Sequence, residues 1–86
     1  MKAVILSIPG AEIIPIGKAV VRLRTQYGLH VDARMLRTRI SHELILGFKD
    51  DFTWFVEWHS VENYFAPLIE GMQAKGQAGH QGTKDS

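Results

Sequence analysis

The sequence predicts a small α+β domain ordered strand, helix, helix, hairpin, helix. Three observations carry that prediction. Ile16, Ala19, Val20, Leu23 and Tyr27 recur at three- and four-residue intervals, one face of a helix, and the run stops at Gly28. Residues 43–48 and 52–58 are two apolar, β-prone runs joined by Lys49-Asp50-Asp51, the pattern of a hairpin with a short polar turn. Val61, Tyr64, Phe65, Leu68, Ile69 and Met72 then make a second apolar stripe at helical period.

Taken in order, residues 3–8 (AVILSI) are rich in β-branched side chains and bounded by Pro9-Gly10, so they predict a short, covered strand. Pro15 suits the first turn of a helix, where its missing N–H costs nothing, and Gly28 suits the left-handed position that ends it. The first helix is therefore expected over residues 15–27.

Residues 31–42 support two readings. As a helix, Asp32 caps the N-terminus and Ala33, Leu36, Ile40 and Leu44 form the inner stripe. Arg34, Thr38 and Ser41 then line the outer face, with Arg37 and His42 at its edges. As a strand, Leu36, Thr38, Ile40, His42, Leu44 and Leu46 alternate against Arg37, Arg39, Ser41 and Glu43. The chain then becomes β-α-β-β-β-α, a three-stranded meander with helices on one face. Local propensity at residues 32–37 favours the helix.

In the hairpin, Phe52, Trp54, Val56 and Trp58 are expected on one face of the second strand, with Trp54 and Val56 in the core. Thr53, Phe55 and Glu57 fall on the other. Ser60 is the expected cap of the last helix, with Glu62 in its first turn. Pro67 should kink or split that helix, and Gly71 should weaken it. Residues 76–86 (GQAGHQGTKDS) contain no large apolar side chain and three glycines, so they predict a disordered tail after one globular domain over residues 1–75. A core of ~75 residues is marginal, and homo-oligomerisation, a homodimer in the simplest case, or a bound partner would supplement it.

Composition narrows the chemistry. There is no cysteine, which leaves neither disulfides nor thiolate metal sites and favours a cytoplasmic protein. The apolar run at residues 3–8 is shorter than the ~7–15 residues of a signal-peptide core, and no stretch reaches the ~18 of a membrane span. His30, His42, His59 and His80 are too far apart to form a local ligand pair, so no metal or other cofactor is expected. No nucleophile elbow or phosphate-binding glycine loop is present, and Asp50-Asp51 reads as a solvated turn, so no catalytic residue is assigned.

The net charge of +1 conceals a split. Residues 1–42 carry +5 and residues 43–86 carry −4, so one basic and one acidic face are expected. Helix, turn, helix and hairpin make the order of a winged helix-turn-helix, in which the second helix enters the major groove of double-stranded DNA. Arg34, Arg37, Thr38, Arg39 and Ser41 are of types that reach base edges and phosphates, and Lys18, Arg22 and Arg24 would hold flanking phosphates.

The segments VVRLRTQYGL, DARMLRTRI, LILGFKDDFTWFV and HSVENYF, spanning roughly residues 15–66, resemble the small excisionase-type (MerR-like) winged-helix proteins of phages and mobile elements. That resemblance implies a DNA-binding regulator or recombination accessory factor, with Arg34, Arg37 and Arg39 on DNA. Three features depart from the pattern: a longer turn between the helices, Arg24 where a small residue is expected, and an acidic wing tip. The alternative function is a small phage-type inhibitor or adaptor that binds a protein, with Phe55, Trp54 or Trp58 as exposed anchors.

Overall fold

The computed structural model describes residues 2–81, with side-chain environments for residues 2–71. Its elements are α1 (Lys2–Leu6), β1 (Ile13–Pro15), α2 (Ile16–Tyr27), α3 (Ala33–Ser41), β2 (Gly47–Asp50), β3 (Thr53–Glu57) and α4 (Trp58–Gln81). The three strands form one antiparallel sheet in the order β1-β3-β2. This is a winged-helix-like α+β domain: a short strand before two helices returns to pair with the second strand of the hairpin. The helical reading of residues 31–42 holds, and the three-stranded meander is excluded.

One buried cluster joins the layers. Ile14 and Val56, paired across β1 and β3, meet Ala19 and Leu23 of α2, Leu36 of α3, and Trp58, Val61 and Phe65 of α4. Ile45, just before β2, completes it. The stripe expected on α2 lies on this core, with Ile16, Val20 and Tyr27 partly buried around it. At its end Gly28 takes φ 70°, and the N–H groups of Gly28 and Leu29 donate to the carbonyls of Arg24 and Leu23 at 3.0 Å each. That arrangement satisfies carbonyls the helix would otherwise leave open.

Several expectations are corrected. Residues 3–8 do not form a strand. Residues 2–6 make one helical turn whose Ile5 is fully buried, while Val4 and Leu6 stay exposed. Ser7 N–H closes it onto the Ala3 carbonyl at 3.1 Å, so backbone groups are satisfied locally and no sheet partner is required. The true first strand is Ile13–Pro15, and α2 starts at Ile16, with Pro15 in extended backbone at its N-cap.

The hairpin is shorter than expected. Asp50 faces Thr53, which leaves Asp51 and Phe52 as a two-residue loop with Asp51 at φ 56°. Leu44 lies beyond the end of α3 and is exposed, and Ile45 takes the inward place. Trp54 is half-buried and outside the core, whereas Val56 is inside it as expected.

Helix α4 begins three residues early, at Trp58. Glu57, not Ser60, caps it: the Glu57 carboxylate accepts the N–H groups of His59 (3.1 Å) and Ser60 (2.9 Å). Ser60 instead donates its hydroxyl to the Glu57 carbonyl at 2.7 Å and accepts Leu46 N–H at 3.0 Å. Pro67 lies inside α4 without splitting it. Helix α4 runs to Gln81, past Gly76 where the tail was expected to begin, and residues 82–86 of that tail lie outside the described residues.

Candidate nucleic-acid interface

Helix α3 is placed by four kinds of contact. Asp32 Oδ1 accepts Met35 N–H at 2.7 Å and fixes where the helix starts. Leu36, fully buried, anchors its inner face, and Met35 and Ile40 pack on the same core. Arg39 donates its Nε–H to the Tyr64 hydroxyl at 2.8 Å, its guanidinium 6.0 Å from that ring, and so ties α3 to α4.

The fourth contact joins α3 to the hairpin. Gly47 of β2 is buried, and a Cβ there would lie 2.6 Å from Ile40 Cδ1 and 2.7 Å from the Phe55 carbonyl oxygen. Only a residue without a side chain lets Ile40 sit so close to the strand.

With Leu36 inward, Arg34, Thr38 and Ser41 fall on the opposite side of α3 and are exposed, and Arg37 beside them is half-buried. The Thr38 hydroxyl donates to the Arg34 carbonyl at 3.0 Å but stays at the surface. Among the described residues neither Arg34 nor Arg37 is in an ion pair. Two guanidinium groups and two hydroxyls on one helix face supply donors suited to phosphate oxygens and guanine edges.

The other basic residues are distributed differently. Arg39 belongs to the Tyr64 contact. Arg22 pairs with Glu12 at 2.8 Å and lies over the Trp58 ring, 5.0 Å from its centroid. Lys18 and Arg22, with Gly17 and Val21, line a shallow cavity of about 430 Å³ on α2. Arg24 is exposed in the last turn of α2, about 120° around the helix from Lys18.

The aromatic candidates are also redistributed. Trp58 is buried at 4% exposure and cannot serve as a surface anchor. Phe55 is half-buried and stacked on Phe48, its partner across the hairpin, with ring centroids 5.5 Å apart. Phe52, placed on the inner face by simple alternation, is 96% exposed at the hairpin tip. An aromatic inside a two-residue turn has left the alternation, which was the available signal.

The acidic tip is partly neutralised. Asp50 pairs with Lys2 at 2.9 Å, and the same ammonium lies 5.7 Å from the Phe48 ring centroid, so α1 is strapped to β2. Glu57 is buried at 4% exposure and so does not face the arginines from the surface. Burial alone would raise its pKa, but the N–H groups of Glu12, His59 and Ser60 and the His59 ring outweigh that and hold it below the ordinary carboxylate value. Tyr27 donates its hydroxyl to Glu62 at 2.6 Å, and that bond, with burial and the carboxylate charge, raises the phenol above its ordinary value.

Among the described residues no group of three or more His, Cys, Asp or Glu side chains is placed to hold a metal ion. No described helix is long and apolar enough to cross a membrane. Comparison with protein-family models, with curated proteins and with solved structures finds no match to this chain.

Proposed function

We propose that this chain is a non-enzymatic DNA-binding protein, a small regulator or recombination accessory factor of excisionase type. The observation that supports it best is the outer face of α3, with Arg34, Arg37, Thr38 and Ser41 presented by a capped helix that follows α2 and precedes the hairpin. Arg34 and Arg37 contact phosphates or guanine edges in the major groove of double-stranded DNA, and Arg24 adds a flanking phosphate contact. In this role the protein works in the cytoplasm and needs no cofactor. Arg39 acts indirectly, by holding α3 against Tyr64.

The test is a titration of duplex DNA at several salt concentrations. Affinity should fall steeply between ~50 and 200 mM salt, and Arg34→Ala and Arg37→Ala should each flatten the log–log slope by about one. No binding at the lowest salt would end this proposal.

A second role, inhibitor or adaptor for a protein partner, draws on one observation. Phe52 is almost wholly exposed beside Asp51, a pairing that suits a protein surface better than a phosphate backbone. Retention of partner binding by a chain whose Arg34 and Arg37 are both alanine would favour this second role.

A further inference from the structure

Two surface features of α2 and the hairpin complement each other. The first is a knob. Phe52 projects from a two-residue loop closed by the Asp50–Thr53 pair, is 96% exposed, and follows Asp51, whose φ of 56° turns the chain sharply at that point. The Phe48–Phe55 stack stiffens the strands beneath it, and the Lys2–Asp50 pair cancels one of the two carboxylates. Asp51 has no ion-pair partner among the described residues.

The second feature is the cavity on α2. Gly17 leaves it open, with no heavy atom beyond the adjoining residues and backbone of α2 within 4 Å of where a Cβ would stand, and Val21 is 48% exposed in it. Lys18, in no ion pair among the described residues, supplies a positive rim, while Arg22 is balanced by Glu12 and backed by Trp58. At about 430 Å³ the cavity has room for a phenyl ring.

We infer that the Phe52 knob of one copy docks in the α2 cavity of a second copy. The ring covers Val21 and Gly17, and Asp51 meets Lys18. Exposure of Phe52 rules out occupancy of the cavity within the same copy. A contact built on one aromatic and one ion pair is small, which places self-association in the micromolar to millimolar range. Exchanged reciprocally it closes a twofold pair, and unreciprocated it continues into chains. The contact uses none of Arg24, Arg34 and Arg37, the three groups proposed to hold DNA, so variants of the two surfaces can be tested separately.

The experiment uses the full chain. Sedimentation equilibrium from micromolar to millimolar concentration should show mass rising with concentration. Phe52→Ser and Val21→Asp, both at exposed positions, should each weaken association about tenfold or more while circular dichroism stays unchanged. The deciding step mixes the two variants. Nitrogen-15-labelled F52S, which keeps the cavity, is titrated with unlabelled V21D, which keeps the knob. Amide shifts at Gly17, Lys18, Val21 and Arg22, reduced by added salt, are expected. A wild-type chain that stays monomeric, association that survives either variant, or a mixture that leaves those four amides unmoved would overturn the inference.

Discussion

At Gly47 and Glu57, single residues do work that their types alone do not announce. At Gly47 α3 and the hairpin approach closely, with Ile40 and the Phe55 carbonyl occupying the space of a side chain. Gly47→Ala must move a backbone carbonyl as well as a side chain, so it should destabilise the fold by about 1–3 kcal/mol. Urea unfolding checks this, and a midpoint unchanged from wild type would contradict the close approach. Glu57 joins the segment before β1, the end of β3 and the start of α4 through three backbone N–H groups. Its folded pKa is depressed. Between that value and the ordinary carboxylate value the unfolded chain binds a proton that the folded chain does not, so stability rises with pH there. The contribution is complete above the ordinary value and is lost as pH falls through the folded one. Thermal midpoints should therefore drop on acidification, and Glu57→Gln should lessen that drop while lowering stability at neutral pH by about 1–3 kcal/mol.

Among the elements, α3 depends most on its ends. It has nine residues, too few to be stable alone, and Asp32 satisfies one of its open N–H groups at 2.7 Å. Asp32→Ala should cost about 1 kcal/mol, a fall in thermal midpoint of roughly 4–8 °C for a domain of this size. Because the same helix carries Arg34 and Arg37, DNA affinity should decline with it; a cap variant that melts like wild type would show that tertiary contacts alone hold the helix. Helix α4 presents the opposite case. Pro67 is exposed within it and leaves the Asn63 carbonyl without an intrahelical N–H. Pro67→Ala restores that bond and should stabilise by up to about 3 kcal/mol, read as a higher midpoint and a stronger helical circular-dichroism signal.

For the molecule as a whole, the uneven charge along the chain becomes an arrangement in space. Of the basic residues in the first half, Lys2, Arg22 and Arg39 are engaged by Asp50, Glu12 and Tyr64. Arg34 and Arg37 remain on the outer face of α3. A total of +5 in residues 1–42 therefore overstates the charge available to a polyanion. The salt slope of DNA binding should follow those two arginines and Arg24 rather than the full count: Arg22→Ala should alter it less than Arg34→Ala does. Equal effects of the two substitutions would mean that Arg22 leaves Glu12 and Trp58 when DNA binds.

The sequence by itself determined the elements whose signals are local. The three- and four-residue spacing from Ile16 to Tyr27, the stop at Gly28, the cap at Asp32 and the two β-prone runs each depend on neighbours within a turn or a strand, and each was legible. Tertiary structure decided the rest. Residues 2–6 became a helical turn because their one buried side chain, Ile5, is satisfied without a sheet partner. Ile13–Pro15 became a strand only because β3 offered it an edge. Capping of α4 passed from Ser60 to Glu57, whose carboxylate also reaches Glu12, 45 residues away in sequence. Phe52 left the inner face when the turn closed one residue later than the polar triplet suggested. Which arginines of the α2–α3 region stay outward was likewise decided by partners distant in the chain, Glu12 and Tyr64. Periodicity reports what a residue needs from its neighbours in sequence, while its partners across space are set only when the sheet and helices come together.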